Sequence, residues 1–155
     1  MRLGLMAIFL TLLAYGEQPG DRARLAGTWQ LEKGGDNDDA GSVWTVQNKG
    51  DKIRITNSRN QRTLVDFECN VLGRECKIKD AGKTAMVLMW FDGEALVELE
   101  TRGSEVVKRR FQVSGEGETM QVEVIPISPA DKPETLEFKR VEMPLITDKA
   151  KAKKL

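Results

Sequence analysis

Few side chains in this sequence are placed to do chemistry, and Arg109 is the first of them. It stands in the alternating run Val107, Arg109, Phe111, Val113, so a strand there turns its guanidinium to the same face as three apolar residues. A charge facing an apolar interior is costly unless paired. Three arrangements meet that cost: an anchor for an anionic or carbonyl-bearing ligand, an internal ion pair, or a bulge that slips the strand so that Lys108 or Arg110 faces water. Glu98 and Glu100 lie two apart, alternating with Val97 and Leu99, and are expected on a solvated face. Nothing nearby supplies the cleft or the contrasting environments that would split two carboxylates into an acid and a base.

The chain contains no histidine. That removes the commonest general base, the usual zinc ligand and every serine or cysteine mechanism that relies on imidazole. A non-enzymatic role is expected, with no cofactor and no metal. The acidic stretch with Asp36, Asp38 and Gly41 faintly echoes a calcium loop, but Ala40 and Gln47 stand where ligands are needed, so it is expected to be a solvated turn. Lys plus Arg and Asp plus Glu both number 24, so no basic field exists to concentrate nucleic acid.

Cys69 and Cys76, the only two cysteines, bracket residues 70–75. If the flanking strands pair around that loop, the two face each other and suit a cross-strand disulfide. The spacing is not CxxC, and two thiols without histidine do not make a zinc site.

The elements that must position these residues are strands. Residues 84–140 run through four alternating apolar segments separated by short turns at Asp92-Gly93, Arg102-Gly103-Ser104 and 114–117, where glycine suits tight hairpins. Upstream, a strand is expected over 27–33, a hairpin over 43–48 and 52–57, and further strands over 63–69 and around Cys76 and Ile78. The last strand is expected at 134–141, after a proline-bearing loop over 126–133. The strand at 84–91 is apolar on both faces, so Met86, Leu88 and Trp90 need a cover, either an N-terminal segment or a second copy of the chain.

At 155 residues the chain suits one domain that buries roughly two thirds of its unfolded surface. Met1 and Arg2 followed by an apolar run over 3–13 and small residues at Ala14 and Gly16 resemble a signal peptide, with the mature chain starting near Glu17; a retained anchor is the alternative. The run is short of the roughly 20 residues that span a bilayer, so the protein is expected to be secreted or periplasmic rather than membrane-spanning. The expected organisation is a leader at 1–16, a lead-in at 17–26 with a helical turn near 21–25, a barrel domain at 27–142 and a disordered basic tail at 143–155.

About ten short antiparallel strands in succession favour an all-β, up-and-down barrel, because closure removes edges. Gly27-Thr28-Trp29 resembles the Gly-x-Trp motif of the calycins, the lipocalins and fatty-acid-binding proteins, and the segments 44–56 and 106–109 resemble the early hairpin of the fatty-acid-binding type. The nearer likeness is to secreted bacterial lipocalin-like domains. It implies that Arg140 packs across Trp29 as a structural pair. The helical lid of fatty-acid-binding proteins has no room in residues 34–42, and their carboxylate-gripping arginine-x-tyrosine stands here as Leu136-x-Phe138. Two functions follow. One is a carrier of a small hydrophobic or amphiphilic ligand, lined by Arg109, Trp44, Phe67, Phe111, Met120 and Phe138. The other is a filled barrel serving as an interaction module, with Met86, Leu88 and Trp90 as a homodimer face.

Overall fold

A computed structural model of the protein describes residues 19–36, 39–80 and 82–142. The expected leader and the whole of the expected basic tail at 143–155 lie outside them. One short helix, α1 (Pro19–Leu25), precedes ten strands: β1 (Gly27–Lys33), β2 (Ser42–Lys49), β3 (Lys52–Arg59), β4 (Arg62–Asn70), β5 (Cys76–Asp80), β6 (Lys83–Asp92), β7 (Ala95–Arg102), β8 (Glu105–Val113), β9 (Thr119–Ser128) and β10 (Glu134–Val141). All pair antiparallel in one sheet of order β4-β3-β2-β1-β10-β9-β8-β7-β6-β5. The sheet curls into a nearly closed all-β barrel. Among the described residues no helix lies between β1 and β2.

Alternation puts Val46, Ile53, Ile55, Val87, Met89, Leu96, Phe111, Met120, Val122 and Phe138 inside as one buried cluster. α1 sits against one end of the barrel. Its Leu25 is buried, Arg22 donates to the Gly50 carbonyl in the β2–β3 turn and lies 5.4 Å over the Phe91 ring, and Arg24 pairs with Glu94 in the β6–β7 turn.

At the same end Trp29 is fully buried and donates its indole N–H to the Leu25 carbonyl. Arg140, opposite it on β10, places its guanidinium 4.1 Å from the ring centroid and donates to the carbonyls of Arg24, Ala26 and Gly117. This arrangement explains the glycine two residues before the tryptophan. Gly27 has φ +149°, and a Cβ there would lie 2.2 Å from Arg140 Nη1.

Two expectations about elements change. Pro126 is not in a loop but inside β9, where Val107 opposes Pro126 and Val106 opposes Ser128. The register shift between them is a bulge, the place in a sheet where a residue without an N–H is tolerated. The second change concerns the cysteines. The Cys69–Cys76 disulfide is present, with Cα atoms 5.8 Å apart, but β4 and β5 do not form a hairpin around it. They are the two edges of the ten-stranded sheet, and the disulfide ties them across the seam. The crossover between them is held by Val71 donating to the Asp51 carbonyl and Gly73 donating to that of Met89.

Replacing both cysteines with alanine should cost about 2 to 3 kcal/mol in urea denaturation, the chain-entropy value for so short a closed loop. Amide exchange should accelerate first in β4 and β5. Faster exchange confined to other strands would show that the seam is held by something else.

Candidate functional site

Away from α1, the barrel interior is not filled. A cavity of about 290 Å³ lies between β2, β3, β4, β5, β7 and β8. Trp44, Ile55, Val65, Phe67, Ile78 and Val107 form its apolar wall, and Asn57, Glu98, Glu100, Arg102, Glu105 and Arg109 its polar one.

The polar wall follows from strand register. Met89 on β6, Glu98 on β7, Arg109 on β8 and Val124 on β9 stand opposite one another in one row, so they share the inner face. Glu100 pairs with Val107 in the next inward row. The expectation of a wet face for Glu98 and Glu100 is therefore corrected. Both faces of β7 carry apolar residues, and what settles its orientation is the cation across the ladder. Arg109 Nη1 donates to Glu98 Oε1 and to Glu100 Oε2, both at 2.8 Å. Arg102 donates from Nε and Nη2 to Glu100 Oε1 at 3.1 and 2.7 Å.

The two carboxylates sit in different surroundings. The Glu98 side chain is 3% exposed, and burial pushes its carboxyl above the usual range despite the opposing charge of Arg109. Burial acts the same way on Glu100, but the hydrogen bonds and charges of Arg109 and Arg102 outweigh it and hold that carboxyl below the usual range. Arg109 is itself held above its ordinary value: burial works against its charge, and Glu98 and Glu100 overcome it. Of the arrangements open to an inward arginine, the internal ion pair is the one present.

Of the residues expected to line a ligand site, Trp44, Phe67 and Arg109 face the cavity. Phe111, Met120 and Phe138 are fully buried beneath it, with Phe111 and Phe138 each 5.5 Å, centroid to centroid, from Trp44. The barrel is thus packed in its α1 half and hollow in the other. The sequence reading missed Glu98 and Glu100 as site residues. The signal was present: an inward arginine requires inward acids on a neighbouring strand, and the hairpin turn at Gly103 sets which residues those are.

No protein-family model matches the chain, and no curated protein matches it. Solved structures do. A REP1-NXSQ fatty acid transporter superposes with a TM-score of 0.64 at 21% identity, covering 79% of this chain and 99% of that one. A Schistosoma mansoni fatty acid binding protein in complex with arachidonic acid gives 0.65 at 16%, covering 79% and 100%. The fold is calycin-like. Secretory abundant heat soluble protein 4 from Ramazzottius varieornatus gives 0.61 at 11% identity, covering 76% and 94%.

Met86, Leu88 and Trp90 lie on the outer face of β6, each half-buried. On β7 beside them Val97 is 1% exposed, flanked in register by Trp90 and Arg110. Side chains of the adjacent strands stand beside it in the same face. α1 packs at the barrel end instead.

Proposed function

We propose that this protein is a non-catalytic carrier that holds a small hydrophobic or amphiphilic ligand in the barrel interior. The observation that carries the reading is the cavity, aromatic and aliphatic on one wall and polar on the other, in a barrel whose other half is solidly packed. Its volume sits at the lower end of the roughly 300–1,000 Å³ of small-molecule sites, which suits a short chain. Trp44 and Phe67 contact the apolar part of the ligand and Arg109 its head, while Phe111 and Phe138 support Trp44 from the packed core beneath. The solved barrels named as a fatty acid transporter and a fatty acid binding protein support the same reading.

Native mass spectrometry of protein purified without detergent should show a mass increment that is lost on organic extraction. A clean apo mass, with no uptake of an added amphiphile, would leave the barrel as an interaction module rather than a carrier. The same spectrum tests the homodimer through Met86, Leu88 and Trp90, because a monomer at all concentrations removes that role for the face.

Export is part of the proposal. A disulfide fits an oxidising compartment, and no described helix is long and apolar enough to cross a membrane. The residues of the expected leader lie outside the described ones, so removal of that leader with a mature start near Glu17 is tested by sequencing the amino terminus of the exported protein.

A further inference from the structure

The polar wall of the cavity has a charge balance that limits what can rest against it. Five ionisable residues line the cavity: the acids Glu98, Glu100 and Glu105 and the bases Arg102 and Arg109. Three acids against two bases leave no surplus positive charge. The geometry sharpens this, because each guanidinium already faces a carboxylate at hydrogen-bond distance.

A carboxylate head group entering here must either displace Glu98 from Arg109, leaving a buried carboxylate unpaired, or displace Glu100, which then keeps Arg102 alone, or lie beside both as a like charge. An ammonium group meets the converse difficulty in Arg102 and Arg109. An uncharged oxygen meets neither. Both bonds from Arg109 to the two acids leave from Nη1, and the side chain is still 24% exposed. Its remaining N–H groups can therefore donate into the cavity without breaking the pair.

Resting on the carrier reading above, we infer that this cavity selects amphiphiles with an uncharged, oxygen-bearing head group, an alcohol or an ester carbonyl, over carboxylates and ammonium ions of equal chain length. Arg109 is the donor, and Glu98 and Glu100 are the specificity-determining residues that cancel its charge.

Equilibrium dialysis of labelled decanol, decanoate and decylammonium against the folded protein near neutral pH tests this directly. Decanol should bind about tenfold or more tightly than either ion. Substituting Glu98→Gln together with Glu100→Gln keeps acceptor oxygens in place but removes both negative charges. That variant should gain about tenfold in decanoate affinity relative to decanol. Decanoate or decylammonium binding as tightly as decanol in the wild type overturns the selectivity and leaves the carrier standing. No binding of any of the three overturns both. The wild-type ranking decides the matter even if the double variant does not fold.

Discussion

Arg109→Leu should lose about 3 to 5 kcal/mol of stability near neutral pH, the cost of leaving one side of a buried ion pair without the other. The cost falls mainly on Glu98, which bonds to Arg109 and is almost wholly enclosed, whereas Glu100 keeps Arg102. The pH dependence has a definite sign. In the wild type the folded-state pKa of Glu98 is raised above its ordinary 4.5, so its ionisation costs stability as pH rises through that folded value. Glu100 is lowered below 4.5, so its contribution is present above that value and is lost as pH falls through the folded one. Removing Arg109 moves both folded values upward. Once the pH has fallen below the lowered folded value of Glu100, both carboxyls are protonated in folded and unfolded protein alike, and the deficit of the variant should narrow. Urea denaturation of the two proteins at neutral and acid pH measures it. Equal stability at neutral pH, or a deficit that does not change with pH, would show that the two acids do not depend on Arg109.

Gly27→Ala should be nearly as damaging, at about 2 to 5 kcal/mol, for two separable reasons. A φ of +149° is open to glycine and strained for any L side chain. The added methyl would also meet Arg140 Nη1, and that guanidinium cannot retreat without giving up its ring contact and its bonds to Arg24, Ala26 and Gly117. The two parts can be told apart on an Arg140→Met background, where the group in the way is gone. There the glycine substitution should cost only the backbone strain, roughly 1 to 3 kcal/mol. An unchanged cost on that background would mean that the clash contributes nothing.

Most of the barrel is legible in the sequence because alternation and turn glycines act locally. β1 and β10 fall where the pattern puts them, and the hairpin turns at Gly93, Gly103 and 114–117 fall at their glycines. Pro126 misleads because proline is read as ending a strand, whereas a bulge lets β9 run on to Ser128. Glu98 misleads for a different reason. Acidic residues are assigned to water by default, and only the ladder partner of Arg109 shows that one must face inward. The cavity is the least legible feature. Whether bulky inward residues fill a barrel depends on how their volumes meet across it, and here Phe111, Met120 and Phe138 gather in one half while the ionic row holds the other half open.

The seam between β4 and β5 also bears on how the chain finds its shape. Every hydrogen-bonded pair of strands consists of sequence neighbours except β1 with β10, where Thr28 stands opposite Val141. Folding must therefore close one very long loop, and the entropy of that closure is met before its contacts form. A circular permutant opened between Cys69 and Cys76, with the end of β10 joined to α1, would follow the sheet from one edge to the other in chain order. Its one distant pairing would become a local one, and the disulfide would clasp the two new ends.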